Sequence, residues 1–509
     1  MRGSERSAGF NRAAITVSIM LATFMQGVDT TITNVALPHM QGSLSASQDQ
    51  IAWVLTSYIV SAAIMMPLTG WLAGRFGIKY VFLISVVGFT AASALCGSAT
   101  SLTQLVLYRV LQGICGAALV PLSQAVLFQI NPPERHGQAM AVWGMGVILG
   151  PIIGPALGGW LTQDYSWRWV FYVNLPVGVL AALGILIFIR ETRYGHRELF
   201  DFFGFASLSV AVGAFQLMLD RGALKDWFHS GEIWTEATIA AVAMYLFIVH
   251  TVTATDRSFL NRELLRSPNF VTGTLLMFLI GGILSGTLAL IPTMLQALMN
   301  YPVMTTGLVT APRGIGTMIA MFLVGRLIGK VDTRLIILAG LTLTAVSLWQ
   351  MTGFSLQMGM APVLVSGVLQ GFGLGCTFVP LNTIALSTLP RHLMTQGTAL
   401  RSVMRNLGGS IGISVLEALL AENTQTVHSR LVEHLRPDNP LAQAPFLGLP
   451  FNLTTPSGLA ALNHEVTRQA AMVAYIDDYA LMMLVVVVSM PLLLLVRRPR
   501  PAQAAPSGD

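Results

Sequence analysis

Two charged residues stand where an apolar chain has little use for them. Asp29 lies deep in the first long apolar stretch and Arg109 near the start of the fourth. A charge at mid-membrane costs about 2.5–3.5 kcal/mol on insertion scales, so each is a candidate for function. Gln26, Asp29 and Thr33 form one polar stripe at i, i+3 and i+7, with Thr30 and Asn34 beside it. From Arg109, the positions i+3, i+4 and i+7 are Gln112, Gly113 and Gly116, a polar face that another helix can approach closely. Burial and a neighbouring cation act in opposite senses on a carboxylate's hold on its proton. A carboxylate balanced between them takes up and releases a proton as its surroundings alternate. Asp29 is therefore read as the proton carrier, with Arg109 sensing or replacing its charge. Gln26, Thr33, Gln112, Arg313 (in APRG) and Asn382 are candidates for a substrate pathway. Arg401 and Arg405 fall near one end of their span, where snorkelling to lipid head groups accounts for them, and Glu417 near the other end reads as interfacial.

Other chemistries find no support. None of the nine histidines forms a pair with zinc-ligand spacing, and there is no serine nucleophile or phosphate-binding glycine loop. Cys96, Cys115 and Cys376 all fall in apolar spans, where cysteine behaves as a small hydrophobe. No metal and no cofactor are expected, and an enzyme is not.

The elements that must hold these residues are membrane helices. The chain has 509 residues, of which 54% are hydrophobic and 10% charged, against about 25% charged in soluble proteins. Its solvent is mostly lipid. Spans of about 20 apolar residues recur fourteen times, from roughly 13–37 to 476–496. The first span is too long for a signal-peptide core, carries Asp29 and lacks a convincing cleavage site, so it is expected to remain. Lys and Arg collect in short cytoplasmic loops. With the N-terminus inside, Arg75, Lys79, Arg135, Arg326, Lys330 and Arg334 face inward, whereas short outer loops hold only Arg168, Arg221 and Lys225. Both termini are then cytoplasmic. The net charge of +6 is an orientation signal, and no clustered basic face points to nucleic acid.

The chain also repeats itself. VLQGICGAALVPL at 110–122 returns as VLQGFGLGCTFVPL at 368–381, GWLAGRFGIK at 70–79 as GRLIGKVDTR at 325–334, and LGPIIG at 149–154 as LGGSIG at 407–412. The offsets run from 255 to 259, and the intervening spans keep the two copies in the same orientation. Parallel repeats of this kind are a transporter architecture, with the substrate path between the halves. The expected organisation is a cytoplasmic segment at 1–12, a six-helix bundle at 13–190 and a linker with two additional helices at 191–269. A second six-helix bundle follows at 270–496, with a long outer loop at about 421–475, and a cytoplasmic tail at 497–509. At the repeat offset Asp29 falls opposite Thr287 and Arg109 opposite Gly367, so the fold does not itself require these charges.

GMGVILGPIIGPALGG at 144–159 places Gly146, Gly150, Gly154 and Gly158 four residues apart, with Gly159 beyond. Such a stripe lets another helix lie close, while Pro151 and Pro155 remove backbone donors and loosen the helix. The stripe is expected to seal the two halves together on one side of the membrane and to limit proton leak.

These motifs together resemble the major facilitator superfamily, and within it the fourteen-span drug:proton antiporters of the EmrB/QacA type. DTTITNVALP at 29–38 is similar to the first-span motif, YRVLQG at 108–113 to the fourth-span motif, and the glycine-proline stretch to the fifth-span antiporter motif. GWLAGRFGIK resembles the superfamily's cytoplasmic loop motif, giving Gly70, Gly74, Arg75, Gly77 and Lys79 as its residues. Gly74 departs from that motif, which usually carries aspartate there, so a latch resting on this carboxylate is not expected; Arg75 and Lys79 remain available to head groups. WRWVFYVNLPVG at 167–178 and LDRGALKDWF at 219–228 fit the EmrB-like branch. The resemblance implies export of amphipathic or lipophilic small molecules from the inner (cytoplasmic) membrane, driven by proton influx. It also implies a periplasmic adaptor protein and an outer-membrane channel as partners. The competing readings are a proton-coupled symporter or an exporter of one metabolite or fatty acid on the same fold, since fold does not fix direction.

Overall fold

The computed structural model describes residues 2–191, 200–254, 260–435 and 455–496, and these are all-helical apart from turns and one isolated bridge. In chain order the helices are α1 (Arg2–Ser43), α2 (Gln48–Met65), α3 (Thr69–Phe76), α4 (Ile78–Ser98), α5 (Leu102–Gly116), α6 (Leu119–Ile130), α7 (His136–Asp164), α8 (Trp169–Tyr172) and α9 (Asn174–Phe188). There follow α10 (Phe202–Gly222), α11 (Gly231–Thr253), α12 (Arg262–Arg266), α13 (Pro268–Ala297), α14 (Val303–Leu327), α15 (Thr333–Met351), α16 (Met360–Ser387), α17 (Met394–Val432) and α18 (Pro456–Ser489). Thirteen helices are long and apolar enough to cross a membrane, and a pair bent by 54°, Gln50–Met65 with Thr69–Phe76, makes the fourteenth span. The fourteen expected spans are thus present. Polar residues start them: Ser47 closes a capping box with Gln50, and Ser101, Ser267 and Thr455 each accept from a backbone N–H of the first turn.

Three boundaries differ from the hydropathy reading. α1 begins at Arg2, so the segment expected before the first span continues its helix. The loop expected at 421–475 is largely helix where it is described, because α17 runs on to Val432 and α18 begins at Pro456. These extensions are polar, and a hydropathy window cannot see a helix once it has left the lipid. The expected tail at 497–509 lies outside the described residues.

Short connections make successive spans alternate in direction. We call the end of the bundle near Arg12 proximal and the opposite end distal. The buried apolar side chains form one core at the proximal end that both repeats share, joining Ile19, Phe82, Leu122 and Trp143 to Phe270, Met321 and Val379. Toward the distal end the core divides: Val28, Ile32, Leu105 and Phe171 belong to one cluster, and Leu290, Met294, Leu341 and Tyr479 to another. The glycines mark the shared end. A Cβ on Gly70 would meet Gln396 at 2.9 Å, on Gly137 it would meet Ile328 at 2.6 Å, on Gly144 Met321 at 2.7 Å and on Gly325 Ala141 at 2.9 Å. α6 is buried continuously from Leu119 to Phe128, whereas Leu107 and Leu111 on the distal α5 are exposed. The two repeats therefore join proximally and part distally.

The glycine stripe of α7 does a different job from the one expected. Gly146 lies against Met20, Gly150 against the backbone of Gly27 and Val28, Gly154 against Thr31, and Gly158 against Ile32. All are on α1, within the same repeat. The seal between repeats uses other faces of α7, those of Gly137, Ala141 and Gly144 against α14. Gly159 has nothing within 4 Å of a built Cβ, and α7 runs unbroken through Pro151 and Pro155. The second repeat copies the crossing: Gly412 and Gly408 on α17 lie against Gly282 and Phe278 of α13.

The loop motif divides between the two joints. Gly77 follows α3 at φ 93° and Gly329 follows α14 at φ 90°, a conformation that favours glycine. The left-handed turn thus pairs Gly77 with Gly329, not Gly74 with Gly329 as the sequence alignment has it. A Cβ on Gly74 meets nothing within 4 Å. Lys79 donates to the Leu186 carbonyl at 2.7 Å and so caps α9 instead of reaching for lipid; Arg75 is exposed.

Replacing Gly150 by leucine should force α1 and α7 apart, because the atoms it meets are backbone and cannot rotate away. We expect a destabilisation of about 1–3 kcal/mol, read as a lower midpoint of thermal unfolding in detergent. Gly159→Ala should leave that midpoint unchanged; equal effects of the two substitutions would refute this assignment of the stripe.

Candidate functional site

Asp29 and Arg109 meet. Nη1 of Arg109 donates to Oδ2 of Asp29 at 2.7 Å, and both side chains are 0% exposed. The glycine crossing sets the depth of Asp29 on α1, since Gly150 of α7 packs on Gly27 and Val28 immediately before it. Gly113, one turn beyond Arg109, lets α5 sit on the Tyr58 carbonyl of α2, where a Cβ would stand only 2.5 Å away. This brings the guanidinium 4.3 Å above the Tyr58 ring and lets Nε donate to the Val54 carbonyl at 3.0 Å.

Gln112 completes the inner ring. Its Oε1 accepts from Nη1 of Arg109 at 2.7 Å, and its Nε2 donates to Oδ1 of Asp29 at 2.8 Å. Asn174 of α9 donates to the same Oδ1 at 2.8 Å and to Oγ of Ser93 at 3.0 Å; Ser93 in turn donates to the Phe171 carbonyl at 2.9 Å. The carboxylate thus accepts three hydrogen bonds from three side chains. Removing two ions from water costs several kcal/mol each, and attraction repays this only when the remaining hydrogen-bonding groups are also satisfied. One group is left over: Nη2 of Arg109 is buried without a partner.

Of the expected pathway residues, Gln112 belongs to this cluster and Gln26 borders it, with Nε2 donating to the Tyr58 hydroxyl at 3.2 Å. Thr33 is buried one turn beyond Asp29, and its hydroxyl has no partner. Thr30 and Asn34 on α1 are exposed. Asn382 and Arg313 are not brought to this site. Oδ1 of Asn382 accepts from Arg401 at 2.7 Å at the proximal end, so Arg401, 2% exposed, is held by α16 and does not snorkel. Arg313 lies on α14 beside α13 and α16, with Nη2 at 3.5 Å from the Leu284 carbonyl. Glu417 is exposed, as an interfacial residue should be. Asn174 and Ser93 are additions of the structure. A signal for Asn174 existed, a lone amide in the apolar run WRWVFYVNLPVG, but spacing along one helix cannot disclose a partner on another.

The inserted pair α10 and α11 lies beside the seam between α2 and α17. Nε2 of Gln216 donates to Oγ of Ser410 on α17 at 2.8 Å, and Oγ of Ser414 donates to the Leu219 carbonyl at 3.0 Å. On its other side Gly213 receives Ile64 of α2, with 3.0 Å to a built Cβ. At the distal turn Arg221 pairs with Glu232 at 2.7 Å and Glu236 at 3.0 Å.

Comparison with known proteins supplies the family. A model of the Major Facilitator Superfamily matches residues 19–413. The chain is 37% identical over 459 residues to the multidrug export protein EmrB of Haemophilus influenzae, covering 89% of this chain and 90% of that one. It is 34% identical over 494 residues to the fatty acid resistance protein FarB of Neisseria gonorrhoeae, covering 96% of each. Among solved structures, the proton:xylose symporter XylE superposes with a TM-score of 0.60 at 15% identity, covering 94% of this chain and 95% of that one.

The ion pair makes a stability prediction that separates pairing from packing. Arg109→Gln leaves a buried carboxylate without its counter-ion and should destabilise by about 3–5 kcal/mol. Adding Asp29→Asn to it should recover most of that loss, measured by thermal unfolding in detergent. A double variant no more stable than the single one would show that the pair is not the governing contact.

Proposed function

Because the chain belongs to the major facilitator superfamily, we propose that this multi-pass membrane protein is a proton-coupled antiporter that exports amphipathic or lipophilic compounds by alternating access. The observation that carries the reading is the buried Asp29–Arg109 pair, present in one repeat and replaced by Thr287 and Gly367 in the other. A symmetric scaffold that keeps one costly ion pair on one side only has a use for it beyond folding. In this reading a proton arriving at Asp29 neutralises the carboxylate and frees Arg109 to bond elsewhere. Its unpartnered Nη2 and the Gln112 amide are the groups that re-pair. No cofactor is needed, since the proton gradient drives the cycle.

Orientation follows from charge. The proximal turns carry Arg75, Lys79, Arg135, Arg326, Lys330 and Arg334, and the distal turns Arg168, Arg221 and Lys225. We therefore assign the proximal face and both termini to the cytoplasm of an inner membrane. The distal parting is then an opening to the outside, from which protons enter and into which substrate leaves.

A periplasmic adaptor, passing cargo to an outer-membrane channel, fits the distal extensions. α17 has 39 residues and α18 has 34, about 58 and 51 Å of helix at 1.5 Å per residue, against a hydrocarbon core of about 30 Å. They stay together beyond it, with His428 and Asn463 hydrogen-bonded at 3.0 Å. The EmrB and FarB relatives, named for multidrug export and fatty acid resistance, support the amphipathic substrate class.

In everted vesicles, an imposed proton gradient should drive accumulation of a lipophilic substrate, and an uncoupler should abolish it. Asp29→Asn should reduce substrate-driven proton exchange at least tenfold. Uncoupler-insensitive transport, or uptake in the opposite direction, would sink the antiport reading.

A further inference from the structure

The second repeat also keeps a cation, Arg313, in its interior, and among the described residues no anion pairs with it. The equivalence rests on a shared contact. In the first repeat Gly113 of α5 packs on the carbonyl of Tyr58. In the second its counterpart Gly371 of α16 packs in the same way on the carbonyl of Arg313. Arg313 thus occupies the place of Tyr58, at the offset of 255 that joins Gly70 to Gly325. The neighbouring exchanges are concerted. Where Arg109 stands in the first repeat there is Gly367, whose built Cβ lies 3.7 Å from that of Arg313. Where Asp29 stands there is Thr287, whose hydroxyl is turned back onto its own helix at the Ile283 carbonyl, 2.8 Å away. The cation has moved from one helix to its neighbour, and the carboxylate has gone.

Arg313 is 8% exposed. Among the described residues no carboxylate lies within salt-bridge distance of it, and its one hydrogen bond, to Leu284 at 3.5 Å, is at the limit of length. Two fully buried arginines are better provided. Arg109 has Asp29, Gln112 and Val54, and Arg401 has both oxygens of Asn382. A guanidinium with no anionic partner inside the bundle is held at a cost that an arriving anion lowers. The helices that hold it also carry exposed apolar residues: Leu288, one turn along α13 from Leu284, is 47% exposed, and Val368, next to Gly367 on α16, is 40% exposed.

We propose that Arg313 is an anion-recognition point on the transport path, and that it takes the carboxylate of an amphipathic acid whose apolar tail lies along Leu288 and Val368. A planar guanidinium presents paired N–H donors that match a carboxylate's two oxygens. The proposal rests on the export reading above and narrows its substrate class. Cargo and proton are thereby handled by different repeats, the acid by the second and Asp29 by the first.

The test uses the full chain in lipid nanodiscs, with dodecanoate and dodecanol as probes and empty nanodiscs as the partition blank. Titration calorimetry should show the parent binding dodecanoate in preference to dodecanol. Arg313→Gln should weaken dodecanoate roughly tenfold or more and dodecanol less than twofold, with Arg313→Lys between parent and glutamine. Gly367→Asp provides a second route: it sets a carboxylate beside Arg313, at a position where a Cβ makes only ordinary contact, and should abolish the preference with the arginine intact. Should Arg313→Gln fail to fold, the lysine and aspartate variants decide the question. Equal losses for acid and alcohol, or a Gly367→Asp protein that keeps the preference, overturn the proposal. A parent that exports a lipophilic cation under a proton gradient but shows no preference for the acid overturns this inference alone. A parent that exports nothing overturns the reading beneath it.

Discussion

Holding a guanidinium and a carboxylate inside a lipid-embedded bundle is possible only if nearly every one of their hydrogen-bonding groups is met, and the first repeat is arranged to meet them. Four helices send a group to the pair: α1 supplies the acid, α5 the arginine and Gln112, α2 a carbonyl and an aromatic face, and α9 Asn174, which Ser93 of α4 holds in place. Such convergence needs helix axes close together, and glycine provides it at two crossings, Gly150 on Gly27 and Gly113 on Tyr58. The apparent weakness of GMGVILGPIIGPALGG is thus a condition for the ion pair. A bulkier α7 would hold α1 further from its neighbours and lengthen bonds that now measure 2.7 to 2.8 Å.

Much of this was legible in the chain, and what was not has a common physical cause. Composition gives the lipid solvent and the span count. The cost of charge in lipid singles out Asp29 and Arg109 before any geometry is known, and the structure puts them 2.7 Å apart. Periodicity shows that Gly146, Gly150, Gly154 and Gly158 share a face, but not which helix that face meets. The stripe meets α1 and not the joint between repeats; Gly137 and Gly144 make that joint. Asn174, Asn382 and Arg313 fail in the same way, since a polar residue's partner on another helix leaves no trace in local spacing. The polar ends of α17 and α18 leave no hydropathy signal, because hydropathy reports the solvent around a helix and not the helix itself.

The repeats have kept their packing and exchanged their chemistry. Gly408 and Gly412 against α13 reproduce Gly150 and Gly154 against α1, and Gly371 on Arg313 reproduces Gly113 on Tyr58. Backbone-to-backbone contacts tolerate no side chain, and both repeats hold glycine at them. The polar residues between them are free to differ, and here an acid–base pair in one copy corresponds to Arg313, a cation without a paired anion, in the other. The pattern explains how a chain that folds as two equal halves can assign them unequal tasks.

The placement of α10 makes the protein's perimeter uneven toward the bilayer. One seam between the repeats, α2 against α17, is faced by a further helix bonded to Ser410 and Ser414 on one side and packed on Ile64 on the other. The opposite seam, α7 against α14, has no such neighbour among the described residues. A molecule dissolved in the acyl chains therefore meets a double wall on one flank and a single one on the other. Lipids diffusing around the protein meet that asymmetry in every conformation that keeps those bonds.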